Sequence, residues 1–189
     1  MSESDNKHIN FIMQAYKDTH NLDFIRYSIS LKLIDPKQIC TIAAGYGLLK
    51  LLKWACKQNY PWDVVTSWTA AVHRHANILL WACKNGCPIN ETVVILATQQ
   101  GYLRVLCCIY NAGYTLGSQL YLVALENNHF DIIEWLYKKG ICFDENFLLL
   151  AWQLNRIDIM HWAIKRGAPM KQLVQYLNRP YAPICLSKN

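Results

Sequence analysis

The sequence predicts an all-α fold, a solenoid of stacked helix-turn-helix units with a period of 27 residues, about five full repeats and a cap at each end. Three columns of residues predict it. Ala43, Ala70, Ala97, Ala124 and Ala151 stand one period apart without a break. Tyr27, Trp54, Trp81, Cys108, Trp135 and Trp162 form a large-apolar column with one small member. Asn59, Gly86, Gly113, Gly140 and Gly167 follow at the same interval as a turn column. Self-similarity at a fixed period is the mark of a repeat architecture, in which each unit buries its apolar face against its neighbours.

The units follow in order. Residues 1–7, polar and acidic, are expected to be disordered, and residues 8–178 to form a single repeat domain. Its N-terminal cap, 8–35, keeps Phe24, Ile25 and Tyr27 but has Tyr16 in the alanine column and Lys32 in the glycine column. Full repeats are expected at 36–62, 63–89, 90–116, 117–143 and 144–170. A short C-terminal cap helix, 171–178, is stopped by Pro180 and Pro183, and 179–189 reads as an irregular tail. Within 90–116, Asn90 or Thr92 can cap a first helix by accepting its orphan N–H groups. Val93 to Ala97 make that helix apolar on most sides, as a helix between neighbours should be. Gln99-Gln100-Gly101 make a tight turn, and Leu103, Val105, Leu106, Ile109 and Tyr110 carry the i, i+3, i+4 spacing of an amphipathic second helix. Gly113 ends it in a left-handed C′ position.

The columns imply energies. A small residue is needed where helices cross closely, so a large side chain at Ala97 should cost about 1–3 kcal/mol. The tryptophans should fill space between successive outer helices, which puts Trp81→Ala on the order of 3–5 kcal/mol. Beside them run two aliphatic columns, Phe24, Leu51, Ile78, Val105, Ile132 and Ile159, and Ile25, Leu52, Leu79, Leu106, Ile133 and Met160.

Composition limits the function classes. A charged fraction of 17% and an apolar fraction of 53% describe a chain with a substantial core. The apolar residues are dispersed, so no membrane span is expected. The N-terminus lacks the basic and apolar regions of a signal peptide, so the protein is expected in a reducing, cytoplasmic compartment. The eight cysteines are therefore expected to be free, mostly buried thiols acting as small apolar fillers. The net charge of +6 permits acidic partners without demanding them.

No catalytic, cofactor-binding or metal-ligating residue is expected. Cys83 and Cys87, with His73 and His75 upstream, have a spacing that could hold zinc, but both cysteines fall in columns that are otherwise apolar. No cysteine carries a nucleophile motif, and His20, His73, His75, His129 and His161 are scattered. Lys57, Lys84, Lys138 and Lys165 fall on one register, thickened by Lys139 and Arg166. Such a stripe can track phosphates, making nucleic-acid binding one alternative, but a cation in the last turn of a helix also suits the helix dipole. A self-associating structural protein is another. The leading reading is a non-enzymatic protein–protein interaction scaffold, because a solenoid varies where it need not pack. The varying positions lie at the turn between the two helices: Tyr46, His73, Arg74, Gln100, Tyr102, Asn127 and Asn128 are the candidate partner-binding residues. Tyr46 and Tyr102 lead, as aromatics expected to be exposed with no packing role.

Ala97 with Gly101-Tyr102-Leu103-Arg104-Val105-Leu106, and the segment Asn127-Asn128-His129-Phe130-Asp131-Ile132-Ile133-Glu134-Trp135-Leu136, resemble a degenerate ankyrin repeat. The Leu-Lys-Trp-Ala-x-x-x-x-x-Pro run at Leu52 to Pro61 and its near-copy at Leu79 to Pro88, with Leu80 in place of the lysine, are similar to short ankyrin-like repeats abundant in large DNA viruses of amoebae and in protists. The resemblance covers roughly Leu22 to Met170. It implies a protein-binding array and, for a viral source, a host-directed role in host cytoplasm. The usual ankyrin period is about 33 residues, so the shorter unit implies that the β-hairpin fingers are missing, along with the contacts they make. The Thr-Pro-Leu-His helix start is also absent, its histidine position being held by Thr41, Trp68, Ile95, Leu122 and Leu149.

Overall fold

The computed structural model describes the backbone of residues 3–178, with side chains from residue 7 onward. Among these residues every regular element is helical and no β-strand occurs. The helices are α1 (Glu3–Thr19), α2 (Leu22–Ser30), α3 (Ile39–Gly45), α4 (Leu49–Lys57), α5 (Val64–Val72), α6 (Ala76–Lys84), α7 (Glu91–Gln99), α8 (Leu103–Asn111), α9 (Leu120–Glu126), α10 (Phe130–Lys138), α11 (Phe147–Gln153), α12 (Ile157–Ile164) and α13 (Lys171–Leu177). None is long and apolar enough to cross a membrane. The first helix begins at Glu3. The irregular tail expected at 179–189 lies outside the described residues.

The 27-residue register is visible in the backbone itself. The even-numbered helices α2 to α12 begin at Leu22, Leu49, Ala76, Leu103, Phe130 and Ile157, each one period after the last. Every described residue with positive φ falls into one of two series on that period. His20, Gly47, Arg74, Gly101, Asn128 and Asn155 stand between the two helices of a pair. Lys32, Asn59, Gly86, Gly113, Gly140 and Gly167 stand after the second helix. The first series joins the two helices through the alanine column. The N–H three residues beyond the last helical residue reaches back to the alanine carbonyl, as in Leu48 to Ala43 (2.9 Å), His75 to Ala70 (2.9 Å), Tyr102 to Ala97 (2.9 Å), His129 to Ala124 (2.8 Å) and Arg156 to Ala151 (2.8 Å). This is the Schellman arrangement, which satisfies the orphan carbonyls of a helix end and needs a left-handed residue to turn the chain. All five alanines are fully buried. The column is small for packing and also supplies the carbonyl that ends each first helix.

N-terminal signals agree. Asn90 Oδ1 accepts from the Val93 N–H (3.1 Å) at the start of α7. Asp63 forms a reciprocal capping box with Thr66 ahead of α5, accepting from the Val65 and Thr66 N–H groups at 2.9 and 3.3 Å.

The chain divides into two compact units, 1–96 and 97–189, the border falling within α7. In the first, α3 packs on both α4 and α5, α5 on α6, and α1 on α2. In the second, the first helices of successive pairs lie together, α9 on α11 and α11 on α13, with α10 and α12 laid against α9 and α11. The aliphatic columns form the cores: Ile25, Leu51, Leu52, Ile78 and Leu79 in one unit, Leu106, Ile132 and Ile133 in the other, all fully buried. A third buried column, Ala55, Ala82, Ile109, Leu136 and Ala163, escaped the sequence reading because its members differ in size. Three pairs are also tied to their own outgoing loop from one first-helix position, which Val94 and Leu148 hold in the other two. Cys40 Sγ donates to the Tyr60 carbonyl (3.7 Å), Ser67 Oγ to the Pro88 carbonyl (2.7 Å) and Tyr121 OH to the Ile141 carbonyl (2.9 Å).

The tryptophan column corrects an expectation. Trp54, Trp81, Trp135 and Trp162 are half-buried rather than fully enclosed, and Tyr27 is 61% exposed. They pack as an outer layer of tilted rings: Trp54 on Tyr60 at 5.8 Å and Trp81 on Trp62 at 5.5 Å in the first unit. In the second, Trp135 lies edge-on to Tyr110 at 5.7 Å, and Trp162 to Tyr137 at 5.7 Å. A half-buried ring loses less on truncation, so the cost of Trp81→Ala falls below the full core value, to about 2 kcal/mol.

Candidate functional site

The predicted turn residues sit where the first left-handed series forces the chain to reverse, and local hydrogen bonding uses most of them. In the first unit Tyr46 is exposed, but its hydroxyl donates to Asn10 Oδ1 on α1. It therefore has a structural partner that its place in the sequence did not suggest. His73 Nδ1 donates to the Thr69 carbonyl (3.0 Å), ending α5, and its ring lies nearly parallel to that of His75 at 6.4 Å. Arg74 is exposed, left-handed (φ 61°), and its guanidinium makes no ion pair among the described residues.

In the second unit Gln100 and Tyr102 are half-buried, so Tyr102 is not the exposed aromatic expected. Asn127 is exposed and its Nδ2 donates to the Val123 carbonyl (2.8 Å), a side-chain cap on α9. Asn128 is left-handed (φ 60°), and its Oδ1 accepts from Arg156 Nη1 of the next pair. Asparagine tolerates the left-handed region better than most residues, which explains its place there.

Two histidines, neither of them among the candidate partner-binding residues, link successive turns. His75 Nε2 donates to the Gly45 carbonyl (3.0 Å), and His129 Nε2 to the Gln99 carbonyl (2.9 Å). A carbonyl can only accept, so Nε2 carries the proton in both rings. Each ring lies over the preceding left-handed glycine. A Cβ built on Gly47 would be 2.8 Å from His75 Cε1, and one on Gly101 would be 2.6 Å from His129 Cε1. These glycines are required by the histidine that covers them as well as by φ. The signal was present in the sequence: glycine in this series is followed by histidine 28 residues later, at 47/75 and 101/129, and Arg74 by Tyr102 instead.

The outer helices carry the other candidate surface. In the first unit cations lie over the aromatic layer at a 28-residue offset, Arg26 over Trp54 at 5.7 Å and Lys53 over Trp81 at 5.9 Å. In the second the offset is 29, Lys139 over Tyr110 at 5.1 Å and Arg166 over Tyr137 at 5.6 Å, with Arg166 also 4.4 Å above Trp162. The lysine stripe is exposed at Lys57, Lys84, Lys138 and Lys165, each in the last turn or at the cap of its helix, where the helix dipole favours a cation. Lys138 is paired with Glu134 at 3.0 Å. Each unit has an open groove of about 490 Å³ on this layer. One is lined by Lys53, Cys56, Lys57, Trp62, Trp81 and Asn85. The other includes Tyr137, Phe143, Glu145 and Arg166.

The described cysteines are free thiols, but only Cys40, Cys83 and Cys87 are buried; Cys56, Cys107 and Cys108 are half-buried and Cys142 is exposed, fewer buried than expected. Burial pushes the Cys40 thiol up to about 12 and the Cys87 thiol up to about 11, the opposite of what a nucleophile needs. Cys87 Sγ is occupied by the Asp63 carbonyl at 3.4 Å. No group of three or more metal-ligating side chains gathers among the described residues. Neither protein-family models, nor curated proteins, nor solved structures yield a match to the chain.

Proposed function

We propose that the chain is a protein-interaction scaffold built from ankyrin-like helix pairs without hairpin fingers, and that it works by binding and not by catalysis. One observation carries the reading: burial divides the 27-residue columns into two kinds. The alanine column is buried and unchanged in all five repeats, and the two aliphatic columns beside the tryptophans stay apolar throughout. Positions at the turns and along the outer helices change chemistry from pair to pair, from Tyr46 to His73 to Gln100 to Asn127. These are the positions that packing leaves free, so they are available to read a partner on the extended surface a repeat array presents. The first helices packed side by side within each unit, and the two left-handed turns in every pair, support the ankyrin-like solenoid. The resemblance to repeats of large DNA viruses makes a host protein the partner this reading favours.

The test uses the intact chain as bait after nuclease treatment of the lysate. The reading expects one or a few proteins, captured saturably and released by excess free chain. Capture that disappears with nuclease points to nucleic acid, and recovery of the chain alone points to self-association; either result refutes the proposal.

A further inference from the structure

We infer that the groove between α4 and α6 in the first unit is a docking site for an acidic, apolar-flanked segment of a protein partner, an inference that rests on the protein-binding reading and names the partner's chemistry. The net charge of the chain is concentrated in the segment that contains it, and Lys53 and Lys57 bring two of those charges to the groove itself. Between residues 36 and 90 the basic residues are Lys37, Lys50, Lys53, Lys57, Arg74 and Lys84, and the only acidic one is Asp63, which leaves +5 of the chain's +6. Asp63 does not offset that charge at the groove, because its carboxylate is held as the α5 cap by two backbone N–H groups.

The groove is shaped for a peptide side chain beside a carboxylate. Its volume is about 490 Å³ and no carboxylate lines it. Lys53 and Lys57 stand four residues apart, on one face of α4. Lys57 forms no ion pair among the described residues. Trp62 and Trp81, 5.5 Å apart and tilted by 47°, give the groove a half-buried aromatic wall, an apolar contact for an aliphatic group beside the lysines. The unit 97–189 has a groove of the same volume, but Glu145 lines it. A single-stranded nucleic acid would use such a groove by stacking bases on open aromatic faces. Here Lys53 already lies over the Trp81 ring at 5.9 Å, and Trp62 leans on the same indole, so the faces are taken while the ammonium charges remain available. That favours a carboxylate-bearing peptide over a base.

The experiment titrates the full chain with a short labelled peptide of alternating glutamate and leucine. The same peptide with glutamine in place of glutamate, and oligouridylate, are titrated in parallel. The inference expects saturable binding of the glutamate peptide, at least about tenfold weaker binding of the glutamine peptide, and weakening by added salt. K53E/K57E should abolish binding while the chain stays folded, with a lowered melting temperature because the Lys53–Trp81 contact and the Lys57 helix-end charge are lost, and K138E in the other unit should leave binding intact. No binding of the glutamate peptide, equal binding of the glutamine peptide, indifference to K53E/K57E, or tighter binding of oligouridylate would each overturn it. Where the bait chain captures a protein but the peptide does not bind, this inference falls and the protein-binding reading stands; where nothing is captured, that reading falls too.

Discussion

Replacing Gly101 by alanine separates the two demands placed on a turn residue. Gly101 has φ +73°, so any side chain there adopts the left-handed region, at about 1 kcal/mol. Its new Cβ would stand 2.6 Å from His129 Cε1. The ring must move, and its hydrogen bond to the Gln99 carbonyl, 2.9 Å long, is then lost, at about 1 kcal/mol more. Gly113→Ala is the control, since Gly113 is also left-handed (φ +89°) but a Cβ there meets nothing within 4 Å. Gly101→Ala should therefore cost about 2 kcal/mol and Gly113→Ala about 1 kcal/mol. In a His129→Ala background the Gly101 cost should fall to about 1 kcal/mol, a coupling of about 1 kcal/mol. Urea denaturation followed by circular dichroism reads these differences, and both sites lie in one unit, so they report on the same transition. A Gly101→Ala variant no less stable than Gly113→Ala would refute the claim that His129 closes over that turn.

Other outcomes follow from the same packing. Ala124→Leu should destabilise by about 1–3 kcal/mol, because the residue is fully buried where α9 meets α11, and thermal unfolding reads the loss. Asp63→Ala removes both caps of α5 and should cost about 1 kcal/mol, with Asp63→Asn recovering much of it in the same melts. Stability should fall in alkali: Cys40 and Cys87 are neutral in the fold up to about 12 and about 11, while in the unfolded chain they ionise from 9.0. The stabilisation is therefore complete below pH 9.0 and is lost as pH rises through those folded values, and Cys40→Ala should flatten the dependence in melts against pH. Under mild alkylation Cys142 should be labelled well before Cys40 or Cys87, which mass spectrometry checks.

Much of the fold could be read from the sequence wherever one residue type served one purpose. The alanine column was legible because only a small side chain fits its place. The glycine column was legible because left-handed φ narrows the choice. The first left-handed series was not, because six positions sharing one backbone conformation hold His20, Gly47, Arg74, Gly101, Asn128 and Asn155. Backbone geometry can be the same while hydrogen-bonded neighbours compensate for different side chains, as Arg156 does for Asn128. The candidate surface was less legible for a related reason. Variation marks the positions that packing leaves free, but it does not separate a residue facing solvent from one bonded locally, and Tyr46 and Tyr102 illustrate the difference. Lys53 and Trp62 were passed over because the aromatic wall forms between residues 19 apart, one on a loop and one on a helix. No single column contains both.

Equilibrium binding of the captured partner to two variants tests the division between packing and recognition most directly. One variant carries K53Q/K57Q in the groove and the other Arg74→Asn with Asn127→Ser at the turns, asparagine keeping the left-handed backbone at position 74. The account predicts that the groove variant binds at least about tenfold more weakly while remaining folded, its circular dichroism spectrum unchanged. Full affinity in both variants would contradict it, since the exposed side chains that distinguish one helix pair from the next would then contribute nothing to recognition.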